Sequence, residues 1–543
     1  MYRFAIVGVG PKGTYALERL LAGLANQRSH DEVEIDLFEA SGFFGSGQIY
    51  SPLNPDYLLL NYSADNVDMW SNRGRNDSGV SWTPTLLEWL NQTLAASYTG
   101  DDFVPRQLVG RYLHDGFEDL VFSAPPTVTI RIFPASSTSA VSLKHGKFRL
   151  QSPGRAPARR VDYDRVLLST GHQFRSSSES LFSSDREVSS VFPVQQLDKV
   201  TPGTSVAVRG LGLTFIDCVL ALTEGRGGTF IKKENGSYHY RPSGKEPSTI
   251  LPYSRSGDLM TTRAPSSRRF ISDAVDAPLL EMADAQSGRQ VDFESEVLPL
   301  IRSALAKFPG HPQPPSFPKQ PRDHHARCVA TLRNDLADIT FQRIAANRPS
   351  VWSKAAPGFR RLYEFGGLTP SSHREFDRKW SGILSRQSFG PPPENAEKLL
   401  ALTGAGILRF DFSRSPRVES TKEGFALSSD NESTKAHYHI NATIPGNRGD
   451  TPSLSPLYRS LLESGAGQLF RNGDYSPGCL KIDREGQLIA ANGSRSPIHL
   501  YGTPTEGIVF DNDTLSRDAN NFADSWADAC LSYINSHTHV CAA

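Results

Sequence analysis

The chain has 543 residues, 38% of them hydrophobic and 21% charged, with 58 Lys+Arg against 58 Asp+Glu. At roughly 150 residues a domain, that length implies two to four domains of ordinary globular composition. The zero formal charge argues against a surface built for nucleic acid, and no apolar run approaches the ~18 residues of a membrane-spanning helix. Neither nucleic acid nor membrane is therefore an expected partner. Met1 runs straight into "YRFAIVGVG", without the charged, apolar and small-residue regions of a secretory leader. The five cysteines (Cys218, Cys328, Cys479, Cys530 and Cys541) form no C-x-x-C pair, so no disulfide framework, zinc site or dithiol centre is expected. The expected location is the cytoplasm.

In "YRFAIVGVGPKGTYALERLLAGLANQ", an apolar strand over Phe4–Val7 leads into Gly8, Gly10 and Gly13, a complete G-x-G-x-x-G. Leu17, Leu20, Leu21 and Leu24 then mark one buried helix face. Gly8 permits the tight turn, Gly10 lets the backbone approach a pyrophosphate, and Gly13 lets helix and strand pack closely; Pro11 opens the helix. The next strand, "VEIDLFEA", ends in Glu39, 26 residues after Gly13. A carboxylate there accepts hydrogen bonds from a ribose 2′-OH and repels a 2′-phosphate, which favours FAD or NAD over NADP. The following "GFFGSGQIYSPLNPDYLLLNYSADNVDMW" is placed to cover the cofactor, with Asn61 a candidate contact, and "VPRQLVGRYL" contributes Arg106.

"VDYDRVLLSTGHQF" is a buried strand ending in Ser169-Thr170-Gly171-His172. The Ser-rich stretch over 175–203 suits a linker and surface excursion between domains. "SVAVRGLGLTFIDCVLAL" is a second strand–turn–helix, with Gly210 and Gly212 but Phe215 where the third glycine belongs. Leu213 opens its helix. The phosphate-admitting glycines are kept, and the lost one governs helix–strand packing. "TFIKKENGSYHY" reads as a hairpin on Asn235-Gly236. "ILPYSRSG" then ends a strand in Arg255, suited to an adenosine 2′-phosphate or, alternatively, a plain exposed turn arginine.

Residues 260–400 read as mostly helical, with a proline-rich connector before His324-His325. That pair lacks metal-ligand spacing, and no metal site is expected. "GFRRLYEFGGLTPSSHREFDRKWSGIL", rich in aromatics and arginine, packs a helical subdomain or lines a substrate cleft. "KAHYHINATIPGNRG" is a further apolar strand leading to Asn441-Ala442-Thr443. "LYGTPTEG" ends the last strand with Gly502, Thr503 and Thr505, before a helix whose Leu515, Ala519, Phe522, Trp526 and Tyr533 share a face.

Taken in order, "VGVGPKGTYALERL", "GSGQIYSPLNPDYLLLN", "VPRQLVGRYL", "LLSTGH", "VRGLGLTFID", "LPYSRSG" and "LYGTPTEG" resemble the FAD-NAD(P)-binding flavoproteins related to N-hydroxylating ornithine and lysine monooxygenases. The resemblance implies an α/β fold with two Rossmann-like dinucleotide-binding domains (three-layer) and a mainly helical insertion. FAD-binding residues are expected over 1–175, the first part of an NAD(P) domain over 200–270, the helical substrate region over 271–405, and FAD-domain return strands over 406–543. It implies FAD and NADPH as cofactors, with NADH as the alternative donor; it makes Thr170 and Gly171, cofactor-binding candidates, the element where the chain leaves the FAD domain for the NADP domain, and places Gly502, Thr503 and Thr505 beside the flavin ring. In flavoproteins a strand comparable to "KAHYHINATIPGNRG" returns the chain to the FAD domain, and the same is expected here. The activity implied is oxygen transfer from a flavin C4a-hydroperoxide to an amine or other small nucleophile, with molecular oxygen as co-substrate. A flavin dehydrogenase or oxidase without oxygen transfer, and a non-catalytic nucleotide-binding protein, are the alternatives. No catalytic side chain stands out, since the cofactor carries such chemistry.

Overall fold

The computed structural model describes residues 1–27, 31–71, 79–95, 97–135, 139–142, 146–151, 161–172, 181–265, 276–286, 288–306, 323–341, 348–429, 432–444, 455–517 and 519–541. Gln173, the Ser-rich residues 175–180, the proline-rich connector up to residue 322 and the "PGNRG" after Ile444 lie outside them.

Two parallel sheets organise the chain. The strand Tyr2–Val7 is buried over Phe4–Val7, as the middle of a parallel sheet covered on both faces requires. It pairs with Val33–Phe38 on one side and Arg165–Leu168 on the other, with Ile6 opposite Leu37 and Leu167. Val128–Phe133 extends the first edge and Arg495–Leu500 the second, all parallel; only Gln487–Ile489 joins antiparallel, completing six strands. Within Val33–Phe38 the buried Asp36 is neutralised by Arg131 at 2.6 Å and accepts from the Tyr163 hydroxyl at 2.6 Å.

The helix Pro11–Asn26 starts on a proline, whose missing N–H would be unpaired there in any residue. It buries Tyr15, Leu17, Leu20, Leu21 and Leu24. Its outer side packs on the C-terminal helix Phe522–Cys541, so closely that a Cβ on Gly23 would stand 2.4 Å from Leu531. From that helix Trp526, fully buried, meets Phe4 edge-on at 6.3 Å. Leu515 and Ala519 precede the helix rather than extending its face.

The second sheet has four parallel strands in the order Thr249–Tyr253, Ser205–Arg209, Tyr438–Asn441, Glu187–Val188. Two sequence expectations are corrected here. Tyr438–Asn441 does not return the chain to the first sheet; it pairs with Ser205–Arg209, and its Ile440 lies in the second core. The described part of the presumed linker is likewise structural: Glu187–Val188 is an edge strand, and Val191, Leu197 and Val200 are buried in the same core. The hairpin forms as expected, Thr229–Lys232 against Tyr238–Arg241, with Gly236 at φ +83°.

Between the two halves lies a helical region that includes Ala277–Ala285, Leu298–Ala306, His324–Thr340, Arg348–Tyr363 and Ser381–Ser388. Phe293, Phe359, Phe376 and Tyr363 form its aromatic centre, which also takes in Phe510 from the C-terminal segment. No helix among the described residues is long and apolar enough to cross a membrane.

Candidate active site

The two glycine loops occupy corresponding positions on their sheets. In the first, Gly8 has φ +92°, and a Cβ there would lie 2.4 Å from the Ser169 carbonyl oxygen. A Cβ on Gly13 would lie 2.2 Å from the Gly8 carbonyl oxygen, so no larger residue fits while the helix keeps its approach. Gly10 differs. It caps the helix Pro11–Asn26 without a side-chain hydrogen bond, and the nearest atom to an added Cβ is the Gly47 Cα, 3.7 Å away. That open cap, with unpaired N–H groups at the positive end of a helix dipole, fits a pyrophosphate.

Glu39 is buried at the end of Val33–Phe38 and ties the loop together. One carboxylate oxygen accepts from the Val9 N–H at 2.9 Å; the other accepts from the Ser41 N–H at 3.0 Å and hydroxyl at 2.7 Å. The oxygen that accepts from Val9 keeps a lone pair for a ribose hydroxyl. Lys12, within the loop, turns away from the glycines: its Nζ donates to the Ser516 carbonyl at 2.7 Å and sits 4.8 Å from the Tyr501 ring centre. Burial lowers its pKa to about 7, against the pull of Asp511 and Asp513. Lys12 thus binds the first loop to the C-terminal segment, a link with no local signature in the sequence.

The remaining first-site residues vary in their surroundings. The Thr170 hydroxyl bonds the Tyr458 hydroxyl at 2.6 Å, and Gly171 follows at φ +65° with open space beside it. Gly502, at φ +79°, lies over the Lys12 side chain and precedes the short turn Thr503–Thr505. Thr505 is fully buried, donating to the Gly502 carbonyl and accepting from Asn512, both at 2.8 Å, so it shapes the loop from within. Asn61 donates to the Phe389 carbonyl at 3.2 Å. Arg106 is claimed by protein: two nitrogens donate to Asp217 at 2.7 and 3.1 Å and Nε to the Leu59 carbonyl at 3.2 Å. Asp217 belongs to the helix Leu213–Leu222 of the second loop, so this buried pair ties the two nucleotide-binding halves together.

In the second loop, Gly210 has φ +123°, and a Cβ would lie 2.7 Å from the Ala442 carbonyl oxygen, beside the neighbouring strand. Gly212 caps Leu213–Leu222 with φ −89° and ψ −165°, close to Gly10 at −77° and −161°. The nearest atom to an added Cβ is the Met260 sulfur at 4.0 Å, so the phosphate position is again open. Phe215 is fully buried in the second core, with its ring edge-on to Phe410 at 6.4 Å. It fills the helix–sheet interior and leaves the turn clear. Arg255 stands exposed just past Thr249–Tyr253, with no side-chain hydrogen bond or ion pair among the described residues.

Where the first-domain loop, the segment after the second sheet, the helical region and the C-terminal loop meet, a cavity of about 1160 Å³ opens. Tyr62, Arg263, Arg360, Phe389, Phe510 and Asp511 line it, among others. Arg360 bonds Asp511 at 3.2 Å. Burial holds the Asp511 carboxyl up at about 6 despite Arg360. Cavity residues such as Arg263 went unnoticed in the sequence, because they come from separate segments of the chain and share no motif. Among the described residues no cluster of His, Cys, Asp or Glu could hold a metal.

Paired dinucleotide cradles on two parallel sheets define a two-nucleotide flavoprotein. Residues 5–173 match the family model described as FAD-NAD(P)-binding. Over those residues the chain is similar to FAD-NAD(P)-binding proteins. It is 25% identical to an L-aspartate N-monooxygenase (nitrosuccinate-forming) of Streptomyces davaonensis, over 93% of this chain and 92% of that one. It is also 25% identical to a nitrosuccinic acid synthase of Aspergillus oryzae, over 93% and 88%. In fold it resembles the ornithine N-hydroxylase of Kutzneria sp. 744, with a TM-score of 0.51, 12% identity and 99% of each chain covered.

Proposed function

We propose that this enzyme, an FAD-dependent, NAD(P)H-using monooxygenase, oxygenates the primary amine of an amino acid, and that L-aspartate is the first substrate to test. The observation that carries the reading is the pair of open glycine caps, Gly10 and Gly212, in a fold that also holds a cavity of about 1160 Å³ lined by Arg263 and Arg360. The similarity, over 93% of the chain, to relatives named L-aspartate N-monooxygenase supports the substrate. We assign FAD to Gly8, Gly10, Pro11 and Gly13, with Glu39 on its ribose and Asn61, Thr170, Gly171, Gly502, Thr503 and Thr505 around the rest. NADPH is assigned to Gly210, Gly212 and Leu213, with Arg255 on the 2′-phosphate. When bound, FAD supplies the hydride acceptance and oxygen activation that no side chain here provides.

The protein's part is to bind, orient and keep dry. The helix dipoles at Gly10 and Gly212 favour the two pyrophosphates. Lys12 anchors the C-terminal loop to the first cradle through Ser516, and the Arg106–Asp217 pair fixes the second cradle against the first. In this reading residues 1–175 and the C-terminal segment hold FAD, the sheet begun at 187 holds the nicotinamide nucleotide, and residues 271–405 build the substrate region. We place the enzyme in the cytoplasm, which suits the four buried free cysteines among the described residues. Phe215 packs into the second core, away from the turn, which supports nucleotide binding at Gly210 and Gly212. The test is NADPH consumption by the FAD-loaded protein with L-aspartate, analysed for an N-oxygenated product. Turnover producing only hydrogen peroxide would replace the reading with an oxidase.

A further inference from the structure

Of the three arginines buried among the described residues, Arg106 holds Asp217 and Arg517 holds Glu18 at 2.7 Å. The third, Arg263, is the most buried, at 3% exposed, and has no ion pair with any described residue. Its guanidinium carbon lies 3.9 Å from the centre of the Tyr62 ring, and one nitrogen donates to the Asn61 carbonyl at 3.3 Å. A guanidinium has five N–H donors, and a charge withdrawn from water without a counter-charge is costly. This one is also fixed in place. Its backbone N–H donates to the Pro391 carbonyl at 2.8 Å, and that of Thr262 to Asp335 at 2.8 Å. Arg263 faces the 1160 Å³ cavity. So does Arg360, whose Nε is buried with no hydrogen-bond partner while another of its nitrogens holds Asp511.

We propose that Arg263 is the substrate's carboxylate anchor and that, with Arg360, it selects amino acids carrying two carboxylates. This rests on the reading of the cavity as the substrate site. Stacking on Tyr62 orients the guanidinium plane and leaves its edge for a planar, bidentate acceptor, the geometry a carboxylate provides. Arg360 offers its unbonded Nε to the second carboxylate. The nicotinamide nucleotide's phosphates are the other source of a planar-edge anion contact. In the proposed reading those phosphates fall to the Gly212 cap and to Arg255, which stands at a strand end of the second sheet.

Succinate carries both carboxylates and no amine, so it reads the site without turnover. Oxidised, FAD-loaded protein is titrated calorimetrically with succinate, with propionate and with NADP+. Wild type is expected to bind succinate at least tenfold more tightly than propionate. Arg263→Gln is expected to lose tenfold or more in succinate affinity, Arg263→Lys to recover part of it, and Arg360→Gln to lower the succinate-to-propionate ratio. NADP+ affinity stays within twofold in each variant, and stoichiometric FAD shows that each is folded. A tenfold loss of NADP+ binding in Arg263→Gln with succinate unchanged would assign Arg263 to a phosphate and overturn the proposal, as would equal succinate binding in all four proteins. Failure of the monooxygenase reading looks different: succinate binds through Arg263, yet no amino acid is oxygenated.

Discussion

Gly13 and Phe215 stand at the same place in two loops and meet opposite demands. A Cβ at Gly13 would reach within 2.2 Å of the Gly8 carbonyl oxygen, whereas Phe215 points into a core that has room for its whole ring. Gly13→Ala is therefore expected to lose FAD, checked by the flavin absorbance of the purified variant against wild type. Phe215→Ala is expected to keep an open turn but to destabilise the fold by about 3–5 kcal/mol, the cost of an emptied aromatic site, measured by urea unfolding. Arg255→Ala is expected to raise the KM for NADPH roughly tenfold, about 1.4 kcal/mol of charge-assisted bonding, with NADH use unchanged. An equal loss with both donors would remove Arg255 from the 2′-phosphate. These local features were legible in the sequence, because a glycine turn and the residue ending a strand need no distant partner to be recognised. Arg106 was not: its role depends on Asp217, 111 residues away, and a lone arginine before a helix gives no sign of which acid it will meet.

Among the elements, the Arg106–Asp217 pair joins the helix Arg106–Phe122 to Leu213–Leu222 with both side chains buried. Removing one partner leaves the other's charge stranded. Arg106→Met is expected to cost about 3–5 kcal/mol, and the double variant Arg106→Met/Asp217→Leu to recover most of it, measured by equilibrium unfolding in a double-mutant cycle. The sheets themselves carry an acid sensitivity. Burial lowers the pKa of His499, in the six-stranded sheet, to about 3, and that of His439, in the four-stranded sheet, to about 4 although Glu187 opposes it. Both are depressed below the ordinary value near 6.5, so the unfolded chain binds more protons than the folded one between these limits. Stability is thus full above pH ~6.5 and falls as pH drops toward 4, by up to ~1.4 kcal/mol per pH unit per histidine. His439→Gln is expected to flatten that slope; an unchanged slope between pH 6.5 and 4 would show that His439 is not buried neutral. The strand containing His439 also marks where sequence reading failed. "HYHIN" declares a strand by its composition, but its sheet is decided by register with Ser205–Arg209, which composition does not encode.

Over the whole molecule, the order of the motifs along the chain exposed a two-nucleotide architecture, since each glycine loop must follow its own strand and precede its own helix. The cavity stayed hidden. Its walls gather residues 62, 263, 360 and 511 from four separate segments, and only the assembled fold makes Arg263 a buried cation facing open space. The most direct test of the function as a whole is isotope transfer. The FAD-loaded enzyme is supplied with NADPH, L-aspartate and 18O-labelled dioxygen, and the products are analysed by mass spectrometry. The expected result is 18O on the substrate nitrogen, in proportion to NADPH consumed. Unlabelled substrate recovered intact, with all the label in hydrogen peroxide or water, would contradict it.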